Sequence, residues 1–308
     1  MQVGISIGTS FALDGPDGHR AGVLQALGQA RAARRAGLSS LTLGDHHSTG
    51  GAGYVQNVPL LGRLAAEWQG QMGCLFILPL WHPVLLAEQV GTLATMTEGP
   101  FIVQTGLGAG AAEFAAMGAD LQGRGARAEE AFRLVAALLR GETVDSPLFG
   151  VKAARVAPLP PQGTEWWMGA GARSSIERVA RLGGHWYANA DLTPATAARA
   201  MDLYREACAA AGRAPGRVPL RRDVFIAEDR GLATRVGDAL VASGYRGFER
   251  EAVTYGDPSS VAEQLSVYAE LGFTDIVIRT MGPLPPELGP GAADRSVELA
   301  GDVMSLLA

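Results

Sequence analysis

Met72-Gly73-Cys74-Leu75-Phe76-Ile77-Leu78, then His82-Pro83-Val84-Leu85-Leu86-Ala87-Glu88, then Phe101-Ile102-Val103-Gln104-Thr105-Gly106-Leu107 read as strand, helix and strand. The first and third are short apolar runs. The second opens on a proline suited to a first helical turn, and the spacing predicts a helix to about residue 97. The same alternation extends both ways. Upstream are strands over 3–8 and 38–45 and helices over 22–37 and 58–68. Val23, Leu27, Ala30 and Ala33 mark the buried face of the first helix, and Gly37 its stop. Downstream, 127–140 is an amphipathic helix with Phe132, Val135, Leu138 and Leu139 on one side. Strands are then expected over 165–169, 185–190, 221–227 and 274–279. Helices are expected over 174–182, 194–211, 232–243 and 294–307, and one more runs from the cap Asp257-Pro258-Ser259-Ser260 to Gly272.

Eight strands alternating with at least eight helices imply parallel strands with right-handed crossovers. In about 300 residues that pattern predicts an α/β fold, a (β/α)8 TIM barrel with loop insertions near 145–163, 245–256 and 283–293. The expected organisation is one domain over 1–308. An open doubly wound sheet, usually of five to seven strands, fits less well.

The chain has 308 residues, 26 basic and 31 acidic, and a net charge of −5; 47% are hydrophobic. That balance excludes a disordered chain and gives no reason to expect nucleic acid or an anionic membrane as partner. Met1-Gln2-Val3-Gly4 lacks a charged leader, and the longest apolar run, 74–81, is too short for a membrane span. Cys74 and Cys208 both fall in expected secondary structure, which argues against a disulfide scaffold and for the cytoplasm. Lys152 is the sole lysine, so Schiff-base chemistry would have to use a residue in a loop-like stretch.

A barrel of this kind works at the C-terminal ends of its strands. The most reactive of these tails is Asp45-His46-His47. Leu41 and Leu43 should face the helices, and Thr42 and Gly44 the interior, so continued alternation places His46 over the interior and turns Asp45 toward the helix layer. An imidazole there can act as acid, base or donor, with Asp45 orienting a neighbour. No metal is expected, because consecutive residues point to opposite faces and no distant ligand set accompanies them. Gly106-Leu107-Gly108-Ala109-Gly110 is an incomplete dinucleotide fingerprint and more plausibly lets a flat ligand approach. Gly169-Ala170-Gly171-Ala172-Arg173-Ser174 lies between strand and helix, where backbone amides and the positive helix end could hold a phosphate. Gln104 and Thr105 are polar residues in an apolar strand and need partners, either a ligand ring or a bond inside the barrel. Glu113 reads as a helix-start carboxylate and His82 as a structural cap. There is no nucleophile elbow. The pocket is expected to be lined by Phe11, Tyr54, Trp81 and the loop around 245–255.

Asp45-His46-His47, Leu78-Pro79-Leu80-Trp81-His82-Pro83 through Glu88, and Gly106-Leu107-Gly108 with Glu113-Phe114 resemble the bacterial luciferase-like superfamily. So do Gly169-Ala170-Gly171 with Gly184-His185-Trp186, and Gly256-Asp257-Pro258 with Leu271-Gly272-Phe273, all in chain order over about 1–280. The resemblance implies a (β/α)8 enzyme using reduced FMN for monooxygenation or F420 for hydride transfer on a small, largely apolar substrate. It implies a bulge with a non-proline cis peptide at Cys74-Leu75 behind the ring, and His46 beside the ring's reactive edge. It places Gln104, Thr105 and Gly106 near the ring and Gly169, Ala170, Gly171, Ala172, Arg173 and Ser174 near the phosphate. It further implies a homodimer and a separate flavin or F420 reductase. The alternative is a non-catalytic flavin-binding barrel, suggested by departures from the family's pattern at Pro100, Gln104 and Ala172.

Overall fold

Strands and helices follow one another nearly as the hydrophobic periodicity requires. The computed structural model describes all residues except 9, 12–14, 51, 52, 290 and 308, and no side chain of 10, 11, 15 or 16. The chain begins β1 (Gln2–Ile7), β2 (Ser10–Phe11), α1 (Gly15–Arg35), β3 (Ser40–Leu43), β4 (Gly53–Tyr54) and α2 (Asn57–Leu64). There follow β5 (Gln71–Ile77), α3 (Pro83–Ala94), β6 (Phe101–Gly106), α4 (Ala111–Ala116) and α5 (Arg124–Leu139). The middle holds β7 (Val144–Ser146), β8 (Val151–Ala154), β9 (Thr164–Gly169), α6 (Arg173–Leu182), β10 (His185–Tyr187) and α7 (Pro194–Ala210). The last part is β11 (Pro219–Ile226), α8 (Arg230–Ala242), β12 (Val253–Gly256), α9 (Pro258–Leu271), β13 (Asp275–Thr280) and α10 (Ala292–Leu306). Among the described residues there are ten α-helices and nine parallel strands, an α/β fold; β2–β4 and β7–β8 form two small antiparallel pairs.

The chain divides into two compact units. One comprises Thr9–Gln25 and Thr42–Trp166. In it β5 and β6 run parallel from Gly73↔Ile102 through Leu75↔Gln104 to Ile77↔Gly106. Gly73 is required by this approach, since a Cβ there would lie 2.2 Å from the Ile102 carbonyl oxygen. Arg127 of α5 donates from Nε to the Pro79 carbonyl at 2.9 Å and lays its guanidinium 4.1 Å over the Phe149 ring. That clamps the end of β5 to the helix behind it.

The other unit comprises Met1–Gly8, Ala26–Leu41 and Trp167–Ala308. Its strands run in the order β1-β13-β11-β12, with Ile5↔Ile278 and Val224↔Thr254 in register, and β9 pairs with β10. A parallel bridge, Ala188↔Leu220, carries the chain just past β10 onto β11. Trp167, Trp186 and Tyr204 fill the core here. Three helices begin as their sequences require. Thr193 caps α7, Asp229 caps α8 and Asp257 caps α9, each side chain accepting a backbone N–H in the first turn. Gly183 and Gly272 close α6 and α9 in the left-handed conformation.

Three expectations change. The 245–256 segment, expected as an inserted loop, contains β12, whose residues are all buried. Its four residues, following two short helical turns, are too few to show a period. The strand expected over 185–190 is regular only over His185–Tyr187. The bulge and cis peptide expected at Cys74-Leu75 are absent. β5 pairs with β6 without a register shift there, and the cis bonds among the described residues are Ala157-Pro158 and Gly282-Pro283. No helix among the described residues is long and apolar enough to cross a membrane.

Candidate active site

β3 ends at Leu43, and 44–49 continue without regular structure. The strand alternation therefore stops two residues before the histidines. Asp45 is 1% exposed and lies at the centre of a polar seat. Its Oδ2 accepts the Ile77 N–H at 2.7 Å and the Trp81 indole N–H at 2.8 Å. Its Oδ1 faces the Asn57 amide nitrogen at 3.4 Å and His47 Nε2 at 3.3 Å. Asn57 opens α2 and also donates to the Leu75 carbonyl at 2.8 Å. One buried carboxylate thus ties together the loop after β3, the end of β5 and the start of α2. A carboxylate bears such burial only with its acceptor sites filled.

His46, expected at the barrel mouth, is 59% exposed. Its ring stands edge-on to Tyr54 at 5.3 Å, and its Nδ1 is 3.5 Å from Glu113 Oε1. His47 is the enclosed one, at 13%. Its backbone N–H donates to Glu113 Oε1 at 2.7 Å, and its ring packs 5.6 Å from Trp81, which in turn meets Phe76 at 5.2 Å. Glu113 sits in the first turn of α4, as expected of a helix-start acid, and also fixes the His46-His47 backbone. Asp45 holds the His47 proton, raising its pKa above the ordinary 6.5 against the opposing effect of burial, with Glu113 adding to the rise. At 3.3 Å the two groups meet without an aligned hydrogen bond, and His47 Nε2 is buried without a hydrogen-bond partner. We therefore treat it as a close charge pair.

The sign of this coupling sets a pH dependence. The folded state binds the His47 proton more tightly than the unfolded chain does. Its contribution to stability is full below the ordinary value of 6.5 and is lost as pH rises through the raised folded value. Urea unfolding of the native chain and of His47→Gln, from pH 6 upward, should show their stability difference shrinking as pH rises. A difference that stays flat or grows would contradict the pairing.

Gln104 of β6 is 2% exposed, its Nε2 has no hydrogen-bond partner among the described residues, and it lies beside Leu75 in the strand register. Thr105 is buried and Gly106 partly so. Cys74 is buried, and burial pushes its thiol pKa well up, so it is not a thiolate nucleophile. Trp81 is committed through its indole N–H to Asp45. The Phe11 side chain lies outside the described residues.

The phosphate candidate lies in the second unit. Trp186 donates from its indole to the Ala170 carbonyl at 2.8 Å, which fixes the turn. Gly171, Ala172, Arg173 and Ser174 are exposed, and Ala172 leaves the start of α6 without a side-chain cap. Arg173 is 3.7 Å from Glu177, an exposed pair of little energetic weight. In the expected pocket loop, Tyr255 is a core residue, 3% exposed in a cluster with Phe225 and Leu240. No group of three or more metal-ligating side chains occurs among the described residues.

The residue-level reading reached Asp45 but did not single out His47 or Asn57. The histidine doublet was the visible signal, and only the loop's departure from strand geometry decides between its members. Asn57 had no signal of its own.

The model of a family described as luciferase-like monooxygenase matches residues 1–255. No curated protein matches. Among solved structures, the monooxygenase RslO1 of Streptomyces bottropensis is 21% identical, with a TM-score of 0.79 over 98% of both chains. The oxygenating constituent of 3,6-diketocamphane monooxygenase of Pseudomonas putida, a type II Baeyer–Villiger enzyme in complex with FMN, is 16% identical. Its TM-score is 0.82 over 98% of this chain and 96% of that one. An F420-dependent secondary alcohol dehydrogenase holding an F420-acetone adduct is 16% identical, with a TM-score of 0.79 over 100% and 99%. At these identities the likeness is one of fold.

Proposed function

From the premise that this chain belongs to the luciferase-like monooxygenase family, we propose that it is a flavin-type oxidoreductase acting on a small, largely apolar organic molecule. The cofactor is FMN or F420, each of which is bound by a protein of like fold. The carrying observation is the buried, unpartnered Gln104 amide. A buried donor without an acceptor costs about 1–3 kcal/mol, and the carbonyl-bearing edge of a flavin or deazaflavin ring would relieve it. The residues present therefore fit the group. Cys74, Leu75, Thr105 and Gly106 are proposed to lie against the ring, and Gly169 to Ser174 to receive a phosphate.

Reduced FMN supplies electrons for oxygenation, and reduced F420 supplies a hydride. The protein supplies position and a proton. Asp45 holds His47 through Nε2, leaving Nδ1 as the atom proposed to give or take a proton. Glu113 fixes the backbone that carries the ring, and Trp81 limits its swing. His46 is left as an exposed neighbour that can meet the substrate rather than the ring.

Closure of β1, β3, β5, β6, β9, β10, β11 and β13 into one (β/α)8 barrel domain belongs to the same proposal. The strand–helix alternation and the Ala188↔Leu220 bridge support it. A cytoplasmic setting is favoured by the two buried free thiols, and a homodimer served by a separate reductase by kinship alone.

Titrating the purified chain with FMN and with F420, followed by turnover with each reduced cofactor, tests this reading. One of the two should bind saturably. Gln104→Leu should weaken it about tenfold, the worth of one hydrogen bond. Failure of both to bind would overturn the proposal, and binding without turnover across a broad substrate panel would reduce it to a flavin-holding protein.

A further inference from the structure

β11 carries Arg221 and Asp223 two residues apart, on one face of the strand. Asp223 is 0% exposed. Its Oδ1 accepts Arg221 Nε at 3.2 Å, and its Oδ2 accepts the Tyr245 hydroxyl at 2.8 Å. The same oxygen lies 3.6 Å from Arg246 Nε. Directly opposite Asp223 in the register is Arg279 of β13. Gly8, just past β1, is the floor beside it, and a Cβ there would come within 3.2 Å of the Arg279 guanidinium. Two guanidiniums thus lie against one carboxylate, and a third, Arg279, stands close enough to act on Arg246 and Tyr245. Asp223 and, more weakly, the Tyr245 hydroxyl favour the charged form of Arg246, while Arg221 and Arg279 repel it.

The geometry is strained as well as charged. Arg246 has φ +50, between Gly244 at +81 and Gly247 at +69. A left-handed arginine is costly and persists where its surroundings hold it for a purpose. Its side chain is 39% exposed above the fully buried Asp223, so solvent and solutes reach the guanidiniums but not the carboxylate. Burial and the neighbouring Arg221 pull the Arg246 pKa below the ordinary arginine value.

We propose that Arg221, Arg246 and Arg279 form an oxyanion site that binds the carboxylate of a small organic molecule. The cluster carries two positive charges beyond what Asp223 neutralises. Planar guanidiniums match a carboxylate bidentately, and the rings beside them, Tyr245 edge-on to Phe248 at 6.2 Å with the Arg246 guanidinium 5.2 Å over Phe248, suit an aromatic or aliphatic body. That this carboxylate belongs to the substrate rests on the oxidoreductase reading; the anion site does not.

Ligand-induced thermal stabilisation of the cofactor-free chain tests it, because that readout is independent of any flavin. Benzoate and phenylacetate should stabilise the chain saturably, whereas benzamide and phenylacetamide should not. The half-effective concentration should rise at least tenfold in Arg279→Gln and in Arg246→Asn, the second of which keeps a residue that tolerates the left-handed turn. Should Arg279→Gln fail to fold, Arg246→Asn decides alone. Equal response to acid and amide, no response to either acid, or unchanged affinity in the folded variants would overturn the site. Tighter binding of inorganic phosphate than of either carboxylate would overturn the carboxylate assignment.

Discussion

Asp45→Ala lowers the free energy of unfolding by about 3–5 kcal/mol, the range for breaking a buried charged network by removing one partner. The Ile77 N–H and the Trp81 indole N–H both end on Asp45 Oδ2 and are left in a buried site without acceptors. The His47 imidazole loses its counter-charge at the same time. Each stranded donor costs about 1–3 kcal/mol, so two of them alone account for a loss of that size. Asp45→Asn keeps one acceptor oxygen and should lose roughly half as much, because the amide nitrogen then faces a donor. Urea or guanidinium unfolding at neutral pH measures both. A loss below about 1 kcal/mol for the alanine variant would mean that water replaces the carboxylate. The seat would then be no rigid platform.

The second large effect separates the two histidines. His47→Gln should lower kcat by on the order of 10²–10⁴, the usual worth of a positioned acid–base group. His46→Gln should change it by less than about threefold, since substitution of an exposed ring away from a buried network is usually mild. The contrast follows from burial and partners. One imidazole is enclosed between Asp45 and Trp81, while the other stands in solvent beside Tyr54. The reverse outcome would return the catalytic assignment to His46.

This pair of histidines also shows how far the sequence could be read. Period-two and period-3.6 patterns place nearly every long element, because each buries one apolar face whose spacing is written in the residues. The cap at Asp257 was legible for the same local reason. β12 was not, since four residues carry too little pattern. The seat was legible only in part. Asp45-His46-His47 stood out chemically, but choosing between the imidazoles required the path of an irregular loop, which local preference does not specify. Asn57 and the arginine cluster around Asp223 depend on contacts between elements distant in sequence. Arg221 and Asp223 stood inside an ordinary strand, and nothing local revealed that Arg246 and Arg279 converge on them.

The central claim is that Asp45 holds His47 as the working imidazole beside the cofactor. Histidine ring resonances followed by ¹⁵N–¹H NMR across pH, without and with the cofactor that binds, test it most directly. The account predicts that His47 titrates above 6.5, falls toward the ordinary value in Asp45→Asn, and shifts on cofactor addition while the His46 ring does not. A His47 resonance that titrates at or below 6.5 and ignores the cofactor, with His46 responding in its place, would contradict it.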